Sequence, residues 1–204
     1  MPGDPIPHEG ELEPDEEYDG LEFDGASFAD PNAGNCHFLD CSFTGASFDG
    51  GRLKKARFTD VTLRDTRFVA CDMAETGWLD VTLAGCALAG VQVFSAALRR
   101  VTFRDGKLDS VNFRSGTLTD VTFEDCLLRD MEFGGATLQR VSFGGCTLAR
   151  ADFAKASCAE VDLRGAELGI SGGYESLGGT TIDSVQLVAL APLLARHLGI
   201  TVID

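Results

Sequence analysis

VTFRDGKLDSVNFRSGTLTDVTFEDCLLRD, residues 101–130, places Phe103, Leu108, Phe113, Leu118, Phe123 and Leu128 at a strict interval of five. A strand repeats its buried side every 2 residues and a helix every 3.6, so neither keeps a five-residue series on one side. Short straight segments joined by turns do, if the chain coils around a common interior. The period therefore predicts a solenoid.

The register extends without insertion from Leu21 to Leu168. Its fifth-residue series runs from Phe23 to Leu168, and all members except Ala33, Val93 and Cys158 are Phe, Leu, Met or Trp. Two residues before each, the side chain is small, as at Ala46, Ala56, Gly106, Ala136 and Ala166. A longer period shows the cross-section: DVTL at 60–63 and 80–83, RVTF at 100–103, DVTF at 120–123 and RVSF at 140–143 recur every twenty residues. Four quintets make one turn, so residues twenty apart stack as neighbours in a parallel sheet. With about 4.8 Å per layer, seven and a half coils make a rod roughly 36 Å long.

These quintets resemble the pentapeptide-repeat family, on segments such as GASFD (25–29), GATLQ (135–139) and ARADF (149–153). The resemblance implies an all-β fold, a right-handed quadrilateral parallel β-helix. Right-handed parallel connections are also the general rule.

The ends read differently. Residues 1–20 carry eight acids, four prolines and no Lys or Arg, which predicts a disordered tail, although Tyr18 falls in the five-residue register and allows the last few of them to begin the first coil. The β-helix spans 21–168, and 169–182, with SGGYESLGG at its centre, reads as a loop. Residues 183–204 form a C-terminal α-helical cap, with Asp183 or Ser184 as N-cap, Gly199 as stop and ITVI (200–203) as a short strand. The helix carries more apolar surface than one cap contact needs, so Val185, Leu187, Leu190, Leu194 and Leu198 are expected to form a homodimer interface. Such a helix after the repeats also resembles the C-terminus of the fluoroquinolone-resistance pentapeptide proteins, the MfpA and Qnr types. That resemblance implies a DNA-mimicking dimer that binds DNA gyrase or a related type II topoisomerase. The Qnr type carries projecting loop insertions; the uninterrupted register of 21–168 is closer to the loop-free MfpA type.

The whole chain has a formal net charge of −15, yet residues 21–168 hold 21 acids and 16 bases. A duplex of that length would carry roughly 21 charges, at one per about 1.7 Å, so uniform mimicry fails. Sorted by position in the coil, the charges are lopsided. The side centred on the VT[LF] repeats holds twelve acids against five arginines, and the other three sides are net positive by two. Asp40, Asp60, Asp65, Asp80, Asp105, Asp120, Glu124, Asp125 and Glu160 on this side are the candidate partner-binding residues. Twelve carboxylates along roughly 36 Å approach the 3.4 Å phosphate spacing of one DNA strand. The competing reading is a solvated face on a rigid scaffold with an unrelated partner.

Chemistry is absent from the pattern. Six cysteines (36, 41, 71, 86, 126 and 146) share the small inward position and read as buried thiols, with Cys126 and Cys146 one turn apart. There is no CxxC, the three histidines are scattered, and no phosphate-binding glycine loop occurs, so no metal, no cofactor and no catalysis are expected. No apolar run reaches the roughly 18 residues of a membrane span, and the N-terminal stretch does not read as a signal peptide. A cytoplasmic protein without direct nucleic-acid binding is the expectation.

Overall fold

The computed structural model describes residues 6–7 and 10–203 and shows a parallel β-solenoid of about 8 turns closed by one C-terminal helix. Strands pair with their equivalents twenty residues on: Trp78 with Leu98, Leu98 with Leu118, Phe103 with Phe123 and Phe123 with Phe143. Four walls result. Wall 1 is centred on Phe103 and its equivalents, wall 2 on Leu108, wall 3 on Phe113 and wall 4 on Leu118. Walls 4 and 1 share a 14-stranded sheet, in which strands such as Ala97–Arg104 and Thr117–Glu124 run round their common corner. Wall 2 forms an 8-stranded sheet, while wall 3 is tied mainly by isolated bridges from Asn32 to Asp152.

The corners explain the period. Every fifth residue from Asp15 to Gly165 lies in the left-handed region, with φ between 49° and 76°. One such residue redirects the chain, and the next three or four run straight. Glycine adopts this region freely, and Asp and Asn are the most tolerant of the rest, which is why they fill most corners. Where wall 3 meets wall 4 a hydrogen bond also closes the turn, as from Gly116 N–H to Phe113 O (3.0 Å) and from Ala136 N–H to Phe133 O (2.9 Å).

Inside, aromatic rings stack in columns. Phe103 and Phe123 lie 4.7 Å apart and Phe123 and Phe143 5.0 Å, with rings within 9° of parallel. On wall 4 the column runs Tyr18, Phe38, Phe58, Trp78. Each fully buried side chain contributes about 1.5–3 kcal/mol, and every layer is shared with the next, so coils stabilise one another rather than themselves.

The ends depart from expectation. Tyr18 is buried on Phe38, Glu17–Asp19 pairs with His37–Leu39, Leu12 is buried, and Ile6–Pro7 pairs with Leu21–Glu22. The coil therefore starts before residue 21, and the disorder expected of 1–20 does not hold over 10–20; residues 1–5 and 8–9 lie outside the described residues. Acids occupy outward positions here while Leu12 and Tyr18 point in, so composition misled where periodicity did not. The expected loop 169–182 is also partly ordered. Glu167–Gly172 pairs with Thr147–Asp152 through register shifts, a 3-10 turn follows at Tyr174–Leu177, and Thr180–Thr181 pairs with Val161–Asp162.

Helix α1, Ser184–His197, starts on Asp183, which forms a capping box with Gln186. The expected strand at 200–203 is not formed, for the segment meets no ladder among the described residues; Ile200, Val202 and Ile203 are exposed.

Candidate functional site

Two surfaces stand out: an acidic wall along the rod and an apolar end. Wall 1 carries a central column of hydroxyls, Ser42, Thr62, Thr82, Thr102, Thr122 and Ser142, in register. Its two corners carry the charge. The corner with wall 4 stacks Asp40, Asp60, Asp80, Arg100, Asp120, Arg140 and Glu160, and the corner with wall 2 holds Asp65, Asp105 and Asp125 among glycines. Glu124 sits beside the second corner. All nine sequence-predicted acids thus lie on one wall and its edges.

Ion pairing divides them. Arg100 pairs with Asp80, Arg140 with Asp120 and Arg104 with Glu124, each across one coil. These three acids are half-buried, and the neighbouring guanidinium holds the Asp80 and Asp120 carboxyls below the usual carboxylate range. Asp40, Asp60, Asp65, Asp105, Asp125 and Glu160 are exposed and join no ion pair among the described residues. The even phosphate-like spacing expected of the wall is therefore corrected. With Glu22 and Asp24, eight of the twelve carboxylates remain unpaired among the described residues, over about seven coil steps or roughly 34 Å, one per roughly 4 Å.

The corner geometry supplies a reason for these acids that needs no partner. Asp and Asn suit left-handed backbone equally well, so conformation alone selects the pair of residue types. Asn35 is the single asparagine among these corner residues. The charge is an addition to what the turn demands.

At the far end, Gln186 is the residue that sequence reasoning missed. Its Nε2 donates to the carbonyls of Leu163 (2.5 Å) and Ala166 (2.7 Å), while its Oε1 accepts from Asp183 N–H. A polar plug thus closes the last coil; the D-x-x-Q spacing at 183–186 was its available signal. Leu190 is buried, and Leu193 and Leu194 pack on the core. Leu190 therefore belongs to the cap and not to a dimer interface, because this face of the helix meets its own coil, while Leu194 is only partly covered by it. Val185, Leu187 and Leu198 remain exposed, joined by Val188, Ile200, Val202 and Ile203.

The seven cysteines are free, and all except Cys158 are buried. No group of three or more His, Cys, Asp or Glu able to hold a metal ion is found among the described residues, nor a helix long and apolar enough to cross a membrane. Concavities are surface grooves, such as one of about 400 Å³ lined by Asp30, Pro31, Asn32, Gly51, Arg52 and Asp72.

Coils of twenty residues, left-handed corners and four inward columns define a four-sided β-solenoid. The chain belongs to the pentapeptide-repeat family: models for pentapeptide repeats (9 copies) and for the pentapeptide repeat region match residues 33–77 and 76–153. Among solved structures, a trypsin-treated variant of QnrB1, a plasmid-mediated fluoroquinolone resistance protein, is 21% identical, with 93% of this chain and 95% of that chain covered and a TM-score of 0.52. A second trypsin-treated QnrB1 variant is 20% identical, with 96% and 100% covered and a TM-score of 0.47. HetL from Nostoc sp. strain PCC 7120, a pentapeptide repeat protein involved in heterocyst differentiation regulation, is 14% identical, with 82% and 90% covered and a TM-score of 0.31. At these identities the likeness is one of fold. No curated protein matches the chain.

Proposed function

We propose that this protein is a non-catalytic, cytoplasmic binding protein that occupies the DNA-binding surface of DNA gyrase or a related type II topoisomerase and modulates its activity or protects it from fluoroquinolones or other gyrase poisons. The observation that carries the reading is the set of exposed, unpaired carboxylates, Asp40, Asp60, Asp65, Asp105, Asp125 and Glu160, along one straight wall. A basic groove shaped for duplex DNA would meet negative charge at fixed spacing on a rigid support, and the field would steer the encounter. The fold shared with QnrB1 supports the choice of partner. Among the described residues the interior is filled by Phe and Leu columns, and the concavities are open surface grooves.

Val185, Leu187, Val188, Leu198, Ile200, Val202 and Ile203 would join two copies end to end, since an apolar patch of this extent is unusual on a monomer. Val188→Asp should then yield monomers in sedimentation with the rod intact.

The deciding experiment is a supercoiling assay with purified protein over a salt series, with and without a fluoroquinolone. Lys at positions 60, 65, 105 and 125 should abolish inhibition while leaving the circular dichroism spectrum unchanged; unaltered inhibition rejects the proposal. A second reading, a rigid scaffold for another partner, is favoured by the conformational reason for Asp at the corners. A flat response under all conditions would support it.

A further inference from the structure

Cys126 and Cys146 are the one pair of cysteines on successive coils of the same inward column. Their neighbours are paired in register, Leu127 with Thr147 and Leu128 with Leu148. The Cys126 N–H donates to Cys146 Sγ at 3.4 Å, and the Gly106 N–H repeats this contact to Cys126 Sγ at 3.4 Å. Stacked strands lie about 4.8 Å apart, inside the range of roughly 4.4–6.8 Å between Cα atoms that a disulfide spans. Cys86 shares the column, but Gly106 stands between it and Cys126, and two strand spacings exceed that range.

We propose that Cys126 and Cys146 form a reversible redox pair, in which a peroxide oxidises Cys126 and Cys146 resolves the product into a disulfide joining two successive coils. In the first step the Cys126 thiolate attacks one peroxide oxygen, the O–O bond breaks, and Cys126 becomes a sulfenic acid as hydroxide leaves. In the second step the Cys146 sulfur attacks Cys126 Sγ, the S–O bond breaks, and water departs with the thiol proton. Two thiols and one hydrogen peroxide thus give one disulfide and two waters.

Each sulfur accepts one backbone N–H, Cys126 from Gly106 and Cys146 from Cys126, and the balance of charge between them favours this order. The Cys146 thiol beside it draws the Cys126 thiol below the usual cysteine range, whereas bonding to Cys126 and burial push Cys146 up. The lower-lying thiol supplies the nucleophile and its neighbour supplies the resolving group. Both are nearly inaccessible, 2% and 1% exposed, so only a small oxidant admitted by local opening reaches them. In-register stacking also holds the two Cβ atoms near 4.8 Å, beyond the roughly 3.8 Å a relaxed disulfide prefers. The bond is therefore strained and easily reduced, as suits a regulatory rather than a permanent link.

The test uses the full chain, reduced and then exposed to hydrogen peroxide, with alkylation, digestion and mass spectrometry. The expected result is an intact mass lower by two hydrogens, a single linked peptide pair containing Cys126 and Cys146, a raised melting temperature, and full reversal by dithiothreitol. In Cys146→Ser, a dimedone adduct should appear on Cys126. An unchanged mass after a day in excess peroxide, a bridge involving other cysteines, or wild-type oxidation running on to sulfinic acid would overturn the proposal.

Discussion

Arg100 reaches back one coil to clasp Asp80, with Nε on Oδ1 at 2.6 Å and Nη2 on Oδ2 at 2.5 Å. Arg140 does the same to Asp120, at 2.5 and 3.1 Å. Each pair presents little net charge to a partner. Neutralising a whole pair, Asp80→Asn with Arg100→Gln or Asp120→Asn with Arg140→Gln, should therefore change gyrase inhibition little, while Asp60→Asn, Asp65→Asn or Asp125→Asn weakens it several-fold. Arg100→Glu should strengthen it. Supercoiling assays at low and physiological salt separate these outcomes, because only exposed charge is strongly screened.

The same clasps set a pH dependence. Hydrogen bonds from arginine hold the carboxyls of Asp80, Asp120, Asp130 and Asp162 below the usual range. Their folded pKa values lie below the unfolded value of about 3.9, so the stabilisation is present above that value and is lost as pH falls through the folded ones. The melting temperature should stay level from pH 8 to about 5 and fall below about pH 4. Because the pairs lie at the surface and their acids are only half-buried, the fall should be small and should shrink in molar salt.

Phe123 is fully buried between Phe103 and Phe143. Phe123→Ala should cost about 3–5 kcal/mol, through lost burial and the cavity left in the column. Denaturant unfolding measures the cost, and amide exchange should show it spreading first to the coils directly above and below.

At Gly145, φ is 66° and an added β-carbon would collide with Asp125 Oδ1. Gly145→Ala should destabilise by about 1–3 kcal/mol, from left-handed strain plus the clash. Adding Asp125→Ala should remove the clash but not the strain. The double mutant would then be more stable than the sum of the singles predicts.

Gln186→Leu should strip the buried Ala166 carbonyl of its side-chain donor and leave the Leu163 carbonyl only its long bond from Ala166 N–H at 3.2 Å. Each unsatisfied group costs about 1–3 kcal/mol, so the loss should exceed that of a typical surface change. Exchange protection should fall across α1 and residues 163–166 before it falls elsewhere.

How the sequence discloses this fold depends on which interaction sets each feature. Inward columns were legible because Phe103, Phe123 and Phe143 are large and their positions tolerate nothing polar. Four-sidedness was legible because the VT[LF] segments repeat with the turn. The neutralised corner was legible only in part: Asp80 and Arg100 differ by one turn, but a spacing does not say that the side chains clasp. Leu190 and Val188 lie on one apolar helix, and only the orientation of the last coil decides which is covered. Tyr18 kept the period, yet the acids around it pointed to disorder, since composition does not record which residues face out.

The left-handed residue at every fifth position has an evolutionary corollary. Because the chain turns at each of these residues, one amino acid added to or removed from a wall between Asp15 and Gly165 would put the following corners out of step with the inward Phe and Leu. Unless the extra residues project as a loop, length can change only in whole quintets, and most safely in whole turns of twenty, which leave each ladder in step. Growth by duplicated turns would lengthen the charged wall while preserving its pitch, so the reach of this surface along a partner is set by copy number.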